Sequence, residues 1–393
     1  MQTVNDEQRT EPIQTVGIIG GGQLAAMTVP YAKKLGVNLV VQTPHRDDPA
    51  AQLVTDVVLG AIADCDVTAQ LSDRVQVITF ENEFIELTGL AQLAEHGVCF
   101  RPSLSALAPL LDKYEQRCYL QQLGLPVPQF SLLNAETITT LAPQFGFPLV
   151  LKARRHGYDG RGTFIVRTDA ELDTLWNQLG QPELLVEQYI PFEQELAVMA
   201  ARDIMGRVVV YPVVETQQKD QVCHRVIAPA AIAATLVQQI CTAATTLLNA
   251  LEGVGIFGIE LFLTPEQKIL INEIAPRTHN SGHYTLDACD ISQFELHLRA
   301  VMGQPLPEPQ LTCAGAVMVN LLGYEDSTSD YATVRAAIAA LPKTHVHWYG
   351  KTAARPGRKL GHVTTILTAE TMGEAGAIAD QIETLWYGSR QDA

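Results

Sequence analysis

The chain has 393 residues, of which 47% are hydrophobic and 18% charged, and its formal net charge at pH 7 is −16. This composition is typical of a water-soluble globular protein, and the length predicts two or three domains. So negative a chain is unsuited to nucleic acid or an anionic membrane surface as its main partner, although a local basic pocket is compatible with it.

Cysteine usage and the start of the chain indicate the cellular compartment. The seven cysteines include no CxxC pair, which indicates neither a disulfide framework nor a zinc site and fits a reducing cytoplasm. Residues 1–15 are polar and partly acidic, unlike a secretory leader, and we expect a disordered tail there. No apolar run reaches about 18 residues, so we expect no membrane-spanning segment.

Residues 16–108 alternate short apolar strands with helical segments, which is typical of a doubly wound parallel sheet. A strand at 16–19 leads into a glycine turn at 20–25 and then a helix that Gly36 ends. Further strands are predicted at 37–41, 57–59 and 76–80. In such sheets ligands bind at the carboxyl ends of the strands, where the glycine turn and Glu81 both lie.

The glycine turn also fits another class of protein. The spacing of Gly20, Gly22 and Ala25 satisfies the dinucleotide fingerprint, which would indicate a nicotinamide or flavin enzyme. In those enzymes the second strand ends in an acidic residue that binds ribose hydroxyls, whereas here it runs into residues 42–44, Gln-Thr-Pro. We therefore disfavour a dinucleotide and expect the amides of the turn to bind another anion.

The most unusual chemistry lies in residues 269–285. An apolar strand there ends in Asn272 and Glu273, and an irregular polar segment follows that contains Arg277, His279, Asn280, Ser281 and His283. If the preceding hairpin loop is 265–268, Glu260 lies directly opposite Glu273. Two facing carboxylates are tolerable when a divalent cation such as Mg²⁺ lies between them. Alternatively, one of them points to solvent or pairs with an arginine.

A second candidate site follows the apolar strand at 147–152, which ends in Lys152. The next residues, 154–162, contain three glycines, and a lysine beside free backbone amides suits a polyphosphate. The alternative is a surface hairpin with an extended lysine side chain. The strand at 183–190 runs into Pro191 and offers main-chain groups to a flat heterocycle.

In this order, the strand lysine, the glycine loop, the 187–190 segment and the paired acids resemble the ATP-grasp ligases, in which two α+β lobes clamp Mg-ATP. Five strings resemble the 5-(carboxyamino)imidazole ribonucleotide synthase family of purine biosynthesis: GGGQL, GYDGRG (157–162), NEIAPRTHNSGHYT (272–285), SQFELHLRA (292–300) and RPGRKLGH (355–362). The resemblance implies a pre-ATP-grasp domain over 16–108, an ATP-grasp domain over 109–310 and a small β-rich domain over 311–393.

The resemblance also implies the reaction. Bicarbonate attacks the γ-phosphate of ATP to give carboxyphosphate, and the amine of 5-aminoimidazole ribonucleotide takes the carboxyl group directly or through CO₂. The implied ligands are ATP, Mg²⁺ (with Mn²⁺ as an alternative), bicarbonate and the ribonucleotide. A cytoplasmic homodimer is the expected assembly.

Site residues are carried over from the family one by one. The implied metal ligands are Glu260 and Glu273. The nucleotide-binding residues are Lys113 and Lys152 for phosphates, Gly157, Tyr158, Asp159, Gly160, Arg161, Gly162 and Thr163 in the covering loop, Glu187, Gln188, Tyr189 and Ile190 for adenine, Glu195 for ribose, and Gln218, Asn272 and Glu273. The acceptor-binding residues are Gly22, Gln23, Leu24, Glu81, Tyr158, Asp159, Arg277, Ser281, Lys351 and Arg358. The catalytic residues are Arg277, His279, Asn280 and Lys152.

The sequence departs from the family pattern at a few positions. Gln218 stands where a histidine is usual, Thr163 where glutamine is common, and Ala275 where many ATP-grasp ligases carry a second metal-side asparagine. His283 is either a proton carrier or a hydrogen-bonded structural residue. Two other functions stay open: an ATP-grasp ligase with a different acceptor, and a nucleotide-binding module without catalysis.

Overall fold

The computed structural model describes residues 12–155, 157 and 162–388. The strands are β1 (Thr15–Ile19), β2 (Asn38–Thr43), β3 (Asp56–Leu59), β4 (Val77–Phe80), β5 (Phe130–Leu133), β6 (Leu149–Ala153), β7 (Thr163–Val166), β8 (Leu184–Gln188), β9 (Gln194–Arg202), β10 (Val208–Val210), β11 (Val214–Lys219), β12 (Val222–Ala228), β13 (Gly255–Leu263), β14 (Ile269–Ala275), β15 (Gly315–Leu322), β16 (Thr344–Trp348) and β17 (Lys359–Leu367). The helices are α1 (Gln23–Leu35), α2 (Cys65–Ser72), α3 (Leu87–Glu95), α4 (Leu104–Leu107), α5 (Lys113–Gln122), α6 (Ile138–Phe145), α7 (Asp169–Gln178), α8 (Ala234–Leu251), α9 (Thr285–Ala288), α10 (Gln293–Val301), α11 (Ala332–Ala339) and α12 (Ala375–Tyr387).

The first domain is the predicted parallel sheet, with strand order β3-β2-β1-β4. Gly36 ends α1 in a left-handed conformation (φ 70°) that glycine adopts at little steric cost. The predicted tail is too long, because Ile13 is buried in the core of this domain and Thr15 begins β1. Residues 1–11 lie outside the described part of the chain.

The second sheet is antiparallel, with order β5-β8-β6-β7, and it holds Lys152 near the end of β6 as predicted. Its core is formed by apolar side chains of these strands together with Leu172 and Trp176 of α7. The loop between β6 and β7 contains the predicted phosphate-covering residues. Of these, Gly157 and Gly162 are described, and Tyr158, Asp159, Gly160 and Arg161 lie outside the described residues.

Within the described residues, a nine-stranded sheet contains all nine remaining strands, in the order β14-β13-β9-β11-β12-β15-β17-β16 with β10 beside β9. Helix α8 packs on β9 and β10, because its apolar side chains recur every three or four residues and bury one face. The predicted C-terminal unit is not a separate sheet, since β15 pairs with β12 and extends the central one. The predicted α/β and α+β fold class is confirmed. No helix in the described ranges is long and apolar enough to cross a bilayer.

The hairpin of β13 and β14 confirms the predicted pairing of Glu260 with Glu273, although its loop is longer than predicted. Leu263 pairs with Ile269, so the connection is one residue longer than the predicted 265–268 loop. That change alone would move Glu260 away from Glu273. An irregularity in the ladder between Glu260 and Leu261 shifts the register back, and Glu260 lies opposite Glu273.

Helix α10 joins the central domain to the first domain. The spacing of Ser292 and Glu295 predicts a capping sequence, and the Ser292 Oγ accepts a hydrogen bond from the Glu295 N–H (3.2 Å). The same stretch predicts that Phe294, Leu298 and Val301 face inward. All three are fully buried, and Leu298 and Val301 lie in the core that α1 forms with its sheet.

Helix α12 is tied to strand β12 by a charged cluster. Arg225 donates to both carboxylate oxygens of Glu383 and to Asp380, whose side chain is 69% exposed. Burial alone would raise the pKa of Glu383, but the hydrogen bonds from Arg225 and His224 lower it to about 2. The carboxylate form therefore stabilises the junction between β12 and α12.

We expect Glu383→Gln to lower the free energy of unfolding by about 2 kcal/mol at pH 7, because it removes charge-assisted hydrogen bonds from a mostly buried arginine. The matched change at the exposed partner, Asp380→Asn, should have an effect of about 0–1 kcal/mol. Since the folded-state pKa of Glu383 is depressed, this contribution is present above the unfolded value near 4.5 and is lost as the pH falls towards about 2. Urea unfolding of the three proteins at pH 7 and pH 3 measures it, and equal losses at both pH values would contradict the assignment.

Candidate active site

Three carboxylates share one face of the large sheet. Glu260 and Glu273 are opposite each other on β13 and β14, and Glu195 on β9 lies opposite Phe262, two residues along from Glu260. Burial and the charge of Glu273 raise the pKa of Glu260 to about 7, and burial and the charge of Glu260 raise the pKa of Glu195 to about 7. The cluster therefore attracts cations.

Two of the three carboxylates already have cationic or polar neighbours. Lys113 Nζ lies 2.6 Å from Glu273 Oε2. Burial alone would raise the pKa of Glu273, but Lys113, together with Lys152 and His279, holds it below its ordinary value. His279 Nε2 lies 3.5 Å from Glu260 Oε1. In the described ranges no three His, Cys, Asp or Glu side chains form a metal-binding group. A cation bound here would therefore complete its shell with phosphate and water, as Mg²⁺ commonly does.

A buried ion cluster lies beside these acids. The Glu187 side chain, 3% exposed, accepts from Arg117 and lies 2.7 Å from Lys152 Nζ. Burial alone would raise the pKa of Glu187, but Arg117 and Lys152 lower it to about 2. Lys152 also donates to Asn272 Oδ1 (2.9 Å), and Arg117 donates to the Asn272 main-chain oxygen. The cluster thus connects β6, β8 and α5 to the strand that carries Glu273.

Arg117 is a site residue that sequence reasoning did not assign. Its side chain is 2% exposed and bridges Glu187 and Asn272. The available signal was an arginine one turn after Lys113 on the same predicted helix. That spacing places both cations towards one side of α5, but it does not show which acid either one meets.

The glycine turn does bind an anion, but the anion is a side chain of the protein. The Glu81 carboxylate accepts from the main-chain N–H groups of Gly22 (2.6 Å), Leu24 (3.0 Å) and Ala25 (3.2 Å). A Cβ at Gly22 would lie 2.6 Å from Glu81 Oε1, so glycine permits this approach. The expectation that these amides take another anion is therefore wrong for the structure. Gln23 and Leu24 begin α1 directly above this contact.

The loop after β14 is attached to two other domains. Arg277 Nε donates to Glu83 (3.0 Å) in the first domain. Asn280 exchanges two amide hydrogen bonds with Asn320 of β15 (2.9 and 2.7 Å). Sequence reasoning named Arg277 and Asn280 but not their partners, because Glu83 and Asn320 are distant along the chain. The Ser281 hydroxyl lies 2.9 Å from His279 Nδ1.

The remaining predicted residues are spread around this centre. In the nucleotide half, Gln188 is exposed, Ile190 is buried and Thr163 pairs with Lys152 across the β6–β7 hairpin. Gln218 lies on β11, two residues beyond the partner of Glu195. Lys351 and Arg358 lie in the turn between β16 and β17, where they donate to the main-chain oxygens of Lys359 and Ala353.

Three family models match the chain in the order that the fold shows. They are a ribonucleotide synthetase preATP-grasp domain over residues 13–109, an ATP-grasp domain over 118–294, and a phosphoribosylaminoimidazole carboxylase C-terminal domain over 316–375. The chain is also 52% identical over 388 residues to the N5-carboxyaminoimidazole ribonucleotide synthase of Synechocystis, covering 95% of this chain and 98% of that protein. The corresponding protein of Synechococcus elongatus is 50% identical over 95% of this chain and 96% of its own length. The chain belongs to the N5-carboxyaminoimidazole ribonucleotide synthase family.

Solved structures of this synthase family agree in fold. A synthetase in complex with ADP aligns with a TM-score of 0.89 at 34% identity, covering 97% of this chain and 98% of that one. The Aspergillus clavatus synthase in complex with ADP and 5-aminoimidazole ribonucleotide aligns with a TM-score of 0.87 at 32% identity, covering 95% and 98%. The resemblance stated from the sequence is confirmed.

We expect Glu187→Gln to destabilise the protein by about 3–5 kcal/mol, because it leaves Arg117 and Lys152 as buried cations without a counter-charge. The control is Glu183→Gln, which removes a carboxylate that is 54% exposed and paired with Arg154. That change should alter stability by about 0–1 kcal/mol. Chemical denaturation of both variants measures the difference, and similar losses in the two would count against a buried ion cluster.

Proposed function

We infer that the protein is an ATP-grasp ligase that carboxylates 5-aminoimidazole ribonucleotide with bicarbonate, giving 5-(carboxyamino)imidazole ribonucleotide, ADP and phosphate. The observation that carries this inference is the pair of facing acids, Glu260 and Glu273. Lys113 contacts Glu273 on one side, and His279 of the Arg277–Ser281 loop approaches Glu260 on the other. Relatives that match nearly the whole chain are named as this synthase. The Aspergillus clavatus synthase binds ADP and the ribonucleotide together.

The acids fit a divalent cation. Glu260 and Glu273 supply hard oxygen ligands, and their mutual repulsion, visible in the raised pKa of Glu260, is relieved when a cation binds. We propose Mg²⁺, with Mn²⁺ as an alternative. When bound, the ion would neutralise charge on the ATP phosphates.

The neighbouring side chains are suited to binding ATP. Lys113 and Lys152 would contact the phosphates, and Asn272 lies between Lys152 and the metal-side acids. We propose that the 157–163 loop covers the phosphates, that main-chain groups of 187–190 bind adenine, and that Glu195 binds the ribose hydroxyls with Gln218 nearby. Glu187 itself binds Lys152 and Arg117, so its side chain organises the phosphate site.

The reaction needs no covalent nucleophile on the protein. An oxygen of bicarbonate attacks the γ-phosphorus, the bond to ADP breaks, and carboxyphosphate forms. The acceptor amine then bonds to the carboxyl carbon, phosphate leaves, and the amine loses a proton. Negative charge spreads over the phosphoryl oxygens during the first step, and we propose that Lys152 and Arg277 stabilise it. Carboxyphosphate hydrolyses readily, so a loop that closes over it and excludes water protects the intermediate.

The acceptor site is proposed at the carboxyl edge of the first sheet. Gly22, Gln23 and Leu24 present the start of α1 there, and Glu81 lies beneath them. Arg277 and Ser281 approach from the loop. Lys351 and Arg358 would bind the ribose phosphate, since their turn is basic in an otherwise acidic chain. His279 and Asn280 would lie over the reacting centre. We further propose a homodimer in the cytoplasm.

We expect Glu273→Gln and Lys152→Ala each to lower bicarbonate-dependent ADP release at least about 100-fold, because each removes a group that acts on the transferred phosphoryl group. The matched control, Glu266→Gln, changes an exposed acid in the turn of the same hairpin and should keep wild-type turnover. Near-wild-type turnover in either site variant would contradict the assignment.

The acceptor is tested on the wild-type protein. ADP release in the presence of ATP, Mg²⁺ and bicarbonate should rise strongly when 5-aminoimidazole ribonucleotide is added, and a carboxylated product should form in equal amount. A ligase with another acceptor would show no such response. A binding module without catalysis would release no ADP under any of these conditions.

A further inference from the structure

Gln293, the first residue of α10, is fully buried, and the hydrogen bonds described for its side chain all go to the Arg277–His283 loop. Its Oε1 accepts from the His279 N–H (2.9 Å), and its Nε2 donates to the His279 main-chain oxygen (2.8 Å). The same Nε2 lies 3.0 Å from Nδ1 of His283. One amide group thus binds both main-chain groups of one histidine and the ring of another.

The orientation of this amide follows from its partners. The His279 N–H can only donate, so the atom beside it must be the amide oxygen. The other amide atom is then nitrogen, which can only donate, and His283 Nδ1 must be the acceptor. Burial keeps the pKa of His283 well below its ordinary value, so the ring is neutral and carries its proton on Nε2.

This contact is made beyond the end of a strand. Strand β14 ends at Ala275, and the His279 main-chain oxygen also accepts from the Gly282 N–H (3.0 Å). A glutamine amide offers an acceptor and a donor at a spacing that matches one residue of a strand. Gly282 leaves room for it, because a Cβ there would lie 2.6 Å from Gln293 Oε1.

The same arrangement occurs a few residues earlier in the chain. Gln116 of α5 accepts from the Ile274 N–H (3.0 Å) and donates to the Ile274 oxygen (3.1 Å), directly beside Glu273. Two buried glutamines therefore hold the segment between the metal-side acid and the catalytic loop. Gln293 belongs to α10, and Leu298 and Val301 of this helix are fully buried in the core of the first domain.

The main-chain position of His279 determines where its ring lies. The Nδ1 atom is within 2.9 Å of the Ser281 hydroxyl and 3.4 Å of the Ser281 N–H, so Nε2 faces Glu260 at 3.5 Å. A shift of the main chain would move the ring away from that carboxylate. The Gln293 side chain binds the main chain of His279. No contact described for that side chain involves Glu260 or Glu273.

We propose that Gln293 is a positioning residue for the carboxylation reaction, which clamps the main chain of His279 so that the imidazole meets Glu260, and which holds His283 in one tautomer. The proposal rests on the proposed function for its kinetic consequence only. Its geometric content, the clamp and the tautomer, is independent of the reaction.

The kinetic experiment compares Gln293→Met and Gln293→Glu with the wild type. Methionine keeps the length but makes no hydrogen bonds of this kind, and glutamate keeps only the acceptor for the His279 N–H when ionised. We expect kcat per folded molecule to fall about 10- to 100-fold and KM for ATP to stay within about twofold. ADP should exceed carboxylated product, because carboxyphosphate is lost to water. The control, Gln238→Glu on the exposed face of α8, should match the wild type.

A merely structural Gln293 would give variants with a lower melting temperature, unchanged kcat per folded molecule and equal ADP and product, and that result would overturn the proposal. The second measurement needs no variant at Gln293. A long-range ¹H–¹⁵N correlation spectrum of the wild type, with His283→Asn as the assignment reference, should show His283 as the Nε2–H tautomer. A proton on Nδ1 would overturn the clamp. If the wild type carboxylates no ribonucleotide, the proposed function is wrong. The His283 tautomer would still test whether Gln293 clamps the loop.

Discussion

Repulsion between two carboxylates on facing strands is the interaction on which the site depends. Glu260 and Glu273 are brought together by the pairing of β13 with β14, and each is then stabilised by a different neighbour. Lys113 pairs with Glu273, while His279 approaches Glu260. Burial and the charge of Glu273 raise the pKa of Glu260, so a cation beside these two acids would stabilise their charged forms.

Residues of three domains surround these two acids. The ion cluster around Glu187 fixes the lysine of the second sheet beside the central hairpin. Glu83 of the first domain and Asn320 of the extended sheet bind the loop from two sides. Gln293 holds the middle of that loop. Most of these contacts join parts of the chain that are far apart in sequence, so the loop after β14 is held by several domains at once.

Much of the fold and part of the site could be predicted from the sequence, and the failures have specific causes. The parallel first sheet, the cap of α10 and the Glu260–Glu273 pairing follow from periodicities of two and of 3.6 residues and from local turn chemistry. The loop length of the hairpin was wrong by one residue, and a ladder irregularity compensated for it. The partner of the glycine turn was also missed, because Glu81 is as plausible a ligand-binding acid as it is a helix-capping one.

The sequence by itself determined which residue types face each other along a strand, where α1 ends and α10 begins, and which family the chain resembles, since these depend on neighbours within a few residues. Only the tertiary structure decided that Glu187 neutralises Arg117 and Lys152. It also decided that Glu81 accepts hydrogen bonds from the amides of the glycine turn, and that glutamine side chains bind the main chain at Ile274 and His279. The physical reason is that a buried polar group takes whichever partner the packed chain brings within about 3 Å. That choice depends on the arrangement of domains and leaves no periodic trace in the sequence.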